Sequence, residues 1–310
     1  MDYHNKVEIL EKNLNNIIKG KSEVIKLIIT AILAKGHILL EDIPGVGKTT
    51  LSKAIAKSIN AKFNRIQFTP DLLPTDILGS PIYNPKDGTF EFKKGPIFCN
   101  ILLADEINRA SPRTQSGLLE CMSETQVTME GKSYKLDNPF FVLATQNPVE
   151  SHGTYPLPDA QMDRFAIQLS VGYPNIEEEI NIFYAQEKTH PLENITPILS
   201  CEEINEIQKK ITEITVERSI AKYIMEIVSQ TRNNPLIKLG VSPRGSLMFF
   251  SIIKAKAFLE KRTFCLPDDV KNLAVSVLAH RISLETKAKY SGVKKTDLIL
   301  DILNKTPVPR

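Results

Sequence analysis

The chain has 310 residues, 42% hydrophobic and 24% charged, with 39 Lys+Arg against 36 Asp+Glu and a formal net charge of +3. That composition excludes a mainly disordered chain and favours about two domains at roughly 150 residues each. The charge balance is too even to argue for nucleic acid, an anionic membrane or an acidic partner. The stretch 251–310 is locally basic, 12 Lys+Arg against 6 Asp+Glu, and reads as a solvated helical surface. Cys99, Cys121, Cys201 and Cys265 lie far apart, without C-x-x-C or zinc-ligand spacing, so free thiols in a reducing cytoplasm are expected. The opening MDYHNKVEIL has no apolar h-region, and the longest apolar stretch, Leu27 to Ala34, is interrupted by Thr30. A membrane span needs about 20 apolar residues, so a cytoplasmic protein is expected.

Taken in chain order, the first 35 residues read as helix, with Val24, Leu27, Ile28, Ala31 and Ile32 at i, i+3, i+4 spacing. His37–Leu40 is a buried strand ending at Glu41-Asp42, and Thr50–Ile59 is helical. Further strands are expected at Phe63–Phe68, Asn100–Ala104, Phe140–Ala144 and Ala166–Val171. Ser111-Pro112 opens a helix, Ser as N-cap and Pro at the first helical position. Strands alternating with helices imply a parallel sheet covered on both faces. Two hairpins interrupt the alternation, one over 82–92 around Asn84-Pro85-Lys86-Asp87-Gly88 and one over 126–136 around Gly131. After Tyr173-Pro174 the character changes. Asn175 with Glu178 forms a capping box. Helices are expected near 177–188, 202–212, 218–231, 243–260, 268–284 and 296–304, with no strand. This divides the chain into an α/β unit, 1–175, and an all-helical unit, 176–310.

Five segments carry chemistry. Gly45-Val46-Gly47-Lys48-Thr49-Thr50, preceded by Pro44, lies between the first strand and the next helix. Glycines there let backbone N–H groups surround phosphate oxygens at a helix N-terminus. Lys48 would reach the β- and γ-phosphates of ATP, and the Thr49 hydroxyl would hold Mg²⁺. Asp42 stands where the strict pattern has glycine, so the turn out of the strand is expected to be made differently, with help from Pro44. Asp105 and Glu106 follow an apolar strand: Asp105 for the Mg²⁺ shell, Glu106 to polarise an attacking water. Asn147, in ATQNP, would orient that water or sense the γ-phosphate, although an Asn-Pro turn explains it equally. Arg164, in Asp163-Arg164-Phe165, is a candidate arginine finger, against a salt bridge with Asp163 or another acid. Arg244, in Ser242-Pro243-Arg244, sits in a first helical turn, where a cation opposes the helix dipole. It therefore wants an anionic partner, a phosphate or a glutamate.

In this order the segments LLEDIPGVGKTT (39–50), GPIFCNILLADEINRASPRTQSGLLECMSETQVTMEG (95–131), FFVLATQNPVESHGTYPLPDAQMDRF (140–165) and SPRG (242–245) resemble an AAA+ ATPase of the MoxR family. Such proteins often read LLEDxPGxGKT, so Asp42 is no obstacle. The resemblance implies an AAA+ P-loop core followed by a helical lid. Gly45 to Thr50 would be Walker A, Asp105 and Glu106 Walker B, and Asn147 sensor 1. Arg164 would be the arginine finger on a neighbouring subunit's nucleotide, and Arg244 sensor 2. The two hairpins match the helix 2 insert and the hairpin before sensor 1. It further implies a Mg-ATP-driven, chaperone-like hexameric ring. Such rings often act with von Willebrand factor A (VWA) domain partners in maturing complexes and inserting metal cofactors. A lone subunit would then bind ATP and hydrolyse it slowly, since an arginine finger is worth roughly 10³–10⁵ in rate. ATP is expected to bridge core and lid through Lys48 and Arg244. Two alternatives stand: a nucleic-acid motor on the same scaffold, and a nucleotide-gated scaffold without catalysis. The hairpins are nearly neutral, Lys86 against Asp87 and Glu91 with Lys93 and Lys94 just after, and Lys132 and Lys135 against Glu130, whereas a DNA-tracking pore should be basic.

Overall fold

The computed structural model describes residues 2–43, 45–86, 88–147, 153–186, 191–193 and 195–309. Two helices, α1 (Tyr3–Ile17) and α2 (Ser22–Leu33), replace the single helical stretch expected at the start. They part at Gly20, whose φ of +71° L-residues rarely adopt, and whose missing Cβ leaves room for the Glu178 carboxylate. Asp2 caps α1 by accepting from Asn5 N at 3.2 Å.

Five parallel strands follow: β1 (His37–Glu41), β2 (Phe63–Gln67), β5 (Ile101–Asp105), β8 (Phe141–Gln146) and β9 (Phe165–Leu169), in the order β2-β5-β8-β1-β9. Between β1 and β2 runs α3 (Lys48–Ser58). Between β2 and β5 come α4 (Pro74–Leu78) and the antiparallel pair β3 (Gly79–Asn84) and β4 (Thr89–Lys94). A 3₁₀ turn at Ile107–Arg109, α5 (Pro112–Glu124) and a second antiparallel pair, β6 (Gln126–Met129) and β7 (Lys132–Lys135), precede β8. Ser111 caps α5 as its Oγ accepts from Thr114 N at 3.3 Å, and Pro112 occupies the first helical position. A short α6 (Asp159–Met162) leads into β9.

Both faces of the sheet are covered. Alternate side chains of one strand enter opposite cores, so Ile38 and Leu40 pack with α2 and α3 while Leu39 packs with Leu118 and Leu119 of α5. The hairpin β3–β4 is longer than expected. It touches the other hairpin through Phe92 stacked on Tyr134, ring centroids 4.1 Å apart. Its outer half exposes Ile82, Tyr83 and Phe90. Asp87 lies outside the described residues.

The rest of the chain is mainly helical: α7 (Ile176–Gln186), α8 (Cys201–Thr212), α9 (Arg218–Asn233), α10 (Pro243–Leu259), α11 (Pro267–Leu278), α12 (Thr286–Tyr290) and α13 (Lys295–Lys305). The expected capping box opens α7: Glu178 N donates to Asn175 Oδ1 at 2.9 Å and Asn175 N to Glu178 Oε2 at 2.8 Å. One expectation needs correcting. A small antiparallel pair, β10 (Ile237–Leu239) with β11 (Ser283–Leu284), lies among these helices. At three and two residues, these strands are too short to show alternation. The helix expected over 268–284 stops at Leu278, where a 3₁₀ turn (Ala279–Arg281) carries Arg281 into a buried contact with the start of β9. α10 packs on α1, α2 and β9, so the helical part joins the side of the sheet that α2 covers.

Candidate active site

β1 delivers the chain to a loop whose Gly45 and Gly47 have φ of +87° and +86°. A Cβ at either would meet nothing within 4 Å, so backbone conformation rather than crowding demands glycine. Gly47 is the N-cap of α3, whose first residues are Lys48, Thr49 and Thr50. Lys48 Nζ donates to the carbonyls of Asp42 and Ile43, each at 3.2 Å. Pro44 lies outside the described residues. The turn out of the strand is held by Asp42 itself. Its buried carboxylate accepts from Ser170 Oγ at 2.7 Å, Val171 N at 2.6 Å and Gly172 N at 3.0 Å. The residue that departs from the strict glycine pattern ties the base of the loop to the chain leaving β9.

Gly45, Gly47, Lys48, Thr49 and Thr50 share a cavity of about 340 Å³ with Asp105 and Glu106, joined by Arg65 and Gln67 from β2. Val46 is half-buried beside it and packs on the core. Asp105 ends β5. Its Oδ1 accepts from Thr145 Oγ1 at 2.6 Å, and its Oδ2 pairs with Arg65 Nη2 at 2.7 Å. Glu106 has φ +57°, and its N–H donates to the same Thr145 hydroxyl at 2.8 Å. Its Oε2 accepts from Gln67 Nε2 at 3.0 Å and pairs with Arg109 Nε at 2.8 Å. Among the described residues no cluster of three or more His, Cys, Asp or Glu stands ready for a metal. Mg²⁺ bound with a nucleotide needs only one or two protein oxygens beside the phosphates, and the Thr49 hydroxyl with the Asp105 carboxylate is such a set.

Asn147 follows β8, which lies between β5 and β1 in the sheet. It is buried, and it lines a neighbouring groove of about 850 Å³ with Glu41, Asn108 and Gln146 rather than the cavity of Lys48.

Arg164 and Arg244 are brought together, away from Lys48. Both line a cavity of about 540 Å³ that also takes in His37, Phe140 and Phe141, at the starts of β1 and β8. The nucleotide-type loop leaves the other end of β1, about 13 Å away at some 3.3 Å per residue. The expected bridging of Lys48 and Arg244 within one chain therefore does not match this geometry. Asp163 does not pair with Arg164. It pairs with Arg281 at 3.1 Å and accepts from Ser242 Oγ at 2.7 Å. Nε and Nη1 of Arg164 are buried without a hydrogen-bond partner. Lys35 and Lys209 line the same cavity, and no carboxylate does. Among the described residues the charge on this lining is positive. His37 adds no charge: its Nδ1 accepts from Val142 N at 3.1 Å, its Nε2 faces the Met122 carbonyl at 2.9 Å, and burial lowers its pKa to about 4.

Sequence reasoning missed Arg65, Gln67, Arg109, Thr145 and Arg281. Arg65 and Gln67 are polar residues two apart on one strand and so share a face, and Gln67 is in register with Asp105. That alternation was the available signal. Nothing in the local pattern distinguishes Arg281, which meets Asp163, Phe165 and Ala166 from more than 110 residues away. All four cysteine thiols are free and pushed up by burial, Cys99 and Cys121 to about 12 and Cys265 to about 11. No helix among the described residues is long and apolar enough to cross a membrane.

Residues 37–167 match the family model described as "ATPase family associated with various cellular activities (AAA)", and residues 229–302 match an AAA lid domain. The chain is 49% identical to the uncharacterized protein YeaC of Bacillus subtilis, over 96% of this chain and 93% of that one. It is 37% identical to the chaperone MoxR1 of Mycobacterium tuberculosis, over 96% of this chain and 81% of that one. A crystal structure from Cytophaga hutchinsonii, provisionally described as an ATPase, superposes with a TM-score of 0.91 at 40% identity, covering 99% of this chain and 96% of that one. With a glycine loop, a strand-end acid pair and an arginine cavity set on one parallel sheet, and with these relatives spanning nearly its whole length, the chain belongs to the MoxR family of AAA+ ATPases.

Proposed function

We propose that the protein hydrolyses Mg-ATP at sites shared between neighbouring copies in a ring. The observation that carries this is the placement of Arg164 and Arg244 in a basic cavity at the opposite end of the parallel strands from Lys48. Each chain then presents a nucleotide half at one end of the strands and an arginine half at the other, and a site is complete only where two chains meet. Gly45, Val46, Gly47 and Thr50 would wrap the phosphates, with Lys48 on the β- and γ-phosphates. Thr49 and Asp105 would hold Mg²⁺, which neutralises phosphate charge. Glu106 would take a proton from the attacking water as the bond from the γ-phosphorus to the bridging oxygen breaks and ADP leaves. Asn147 would orient that water. Arg164 and Arg244 of the adjoining copy would meet the charge that develops on the γ-phosphoryl group.

On this reading residues 1–175 form the nucleotide core and 176–310 the lid, and six copies form the ring. The work done is chaperone-like remodelling or maturation of a partner complex, with a VWA-domain protein as partner and metal-cofactor insertion as one such task. The exposed Ile82, Tyr83 and Phe90 on a hairpin of nearly balanced charge favour a polypeptide client over a nucleic acid. The test is Mg-ATP turnover per subunit across a wide protein concentration range, for wild type and Arg164→Ala. A rate that rises with concentration and collapses in the variant supports shared sites. Turnover indifferent to both overturns the reading.

A further inference from the structure

The helical lid meets the sheet at one buried ion pair that grips both arginines from behind. The side chain of Arg281 is wholly buried. Its Nε donates to Asp163 Oδ1 at 3.1 Å, its Nη2 to the Phe165 carbonyl at 2.5 Å, and its Nη1 to the carbonyls of Ala166, at 3.0 Å, and Val277. Asp163 precedes Arg164 and Phe165 follows it, so the backbone is pinned on both sides of Arg164. The second oxygen of Asp163 accepts from Ser242 Oγ at 2.7 Å, and the same hydroxyl accepts from Gly245 N at 3.0 Å. That hydroxyl therefore caps the helix turn that carries Arg244. The contact is tight: a Cβ on Gly245 would stand 2.7 Å from Arg281 Cδ.

We propose that Arg281, acting through Asp163 and Ser242, is a positioning residue that sets Arg164 and Arg244 in one fixed relation for use on a neighbouring copy's nucleotide. This rests on the shared-site reading above. Arg281 does not line the arginine cavity, so its action is indirect. Stability alone does not account for it, because a buried ion pair is commonly matched or bettered by well-packed apolar side chains. What the pair supplies is geometry: a planar fork that holds three carbonyls and a carboxylate at once, which one ammonium does not reproduce. Misplacing a catalytic group by about 1 Å costs on the order of 10²-fold in rate.

The decisive experiment mixes chains. Arg281→Met has an intact nucleotide half and a loosened arginine half, whereas Lys48→Ala has the reverse. Each alone should turn over ATP at least about 10²-fold more slowly than wild type. For Arg281→Met the loss should fall on kcat, with KM for ATP unchanged within about threefold, because its own Lys48 cavity is untouched. Mixed with Lys48→Ala, it should recover activity at junctions where its nucleotide half faces intact arginines. A parallel mixture of Arg164→Ala with Lys48→Ala is the control. Recovery in the control but not with Arg281→Met overturns the positioning role and leaves shared sites standing. Recovery in neither overturns the shared-site reading itself. Ser242→Ala keeps the buried pair and unhooks only α10, so it serves if Arg281→Met does not fold. A smaller kcat loss that the same mixture repairs supports the proposal, and wild-type kcat in Ser242→Ala overturns it.

Discussion

Asp42 offers the sharpest test of how the nucleotide loop is held. Replacing it with alanine removes the acceptor for the buried Val171 N–H and for Gly172 N–H, while the exposed Ser170 hydroxyl can turn to water. A buried donor left unsatisfied costs about 1–3 kcal/mol, and the half-buried Gly172 N–H, which water can reach, adds at most about 1 kcal/mol, so the loss is about 1–4 kcal/mol. At about 2.1 cal/mol/K of unfolding entropy per residue, a chain this long loses about 1.5 °C per kcal/mol, hence a Tm lower by about 1.5–6 °C. Asp42→Asn keeps Oδ1, which serves Ser170 and Gly172, but turns an amide N–H towards Val171 N, so about half the loss is expected. Nucleotide affinity should fall with it, because Lys48 anchors to the carbonyls of Asp42 and Ile43. Urea unfolding and ATP titration of the three proteins, side by side, measure both effects. An Asp42→Ala variant within about 0.5 kcal/mol of wild type, the range of an ordinary surface substitution, would refute the reasoning.

Glu106→Gln should retain ATP binding, trap the nucleotide and stabilise the ring, while Lys48→Ala should abolish binding; wild-type turnover by Glu106→Gln would remove the catalytic assignment. Thr145→Val deprives both Asp105 and the Glu106 N–H of one hydroxyl, so single-turnover hydrolysis should slow more than ATP affinity falls. His37 stays neutral when folded, with a pKa lowered from 6.5 to about 4, so the unfolded chain takes up the proton first as pH falls. Its contribution is present above about pH 6.5 and is lost on acidification towards pH 4, about 2 kcal/mol between pH 8 and pH 5, read from urea midpoints. His280, lowered well below its ordinary value by burial and by Arg281, acts in the same direction. Gly245→Ala should destabilise by about 1–3 kcal/mol through overpacking against Arg281, although alanine is the better helix former by about 1 kcal/mol; thermal unfolding gives the sign.

The strands were legible because their signal is local. Ile38–Leu40 and Ile101–Ala104 are unbroken apolar runs followed by acids, as a strand buried on both faces and ending at a site must be. The Ser111-Pro112 start and the Asn175–Glu178 box were legible for the same reason, since each motif satisfies its own backbone groups within four residues. The pair β10–β11 was not, because its few residues are held in extended form by each other across the fold. The break at Gly20 was hidden because the apolar periodicity on either side reads as one helix.

The sequence by itself determined which residues are candidates to hold phosphate, metal and the attacking water, because a glycine loop at a helix start and acids at a strand end are chemistry written in adjacent positions. Only the tertiary structure decided that Arg164 and Arg244 face away from Lys48, that Asp42 closes the loop, and that Arg281 lies behind both arginines. Each of those facts depends on which end of a strand a side chain leaves from and which distant carbonyl needs a donor. Such relations arise only when the sheet order and the packing of the lid have brought residues 42, 163, 242 and 281 to their partners.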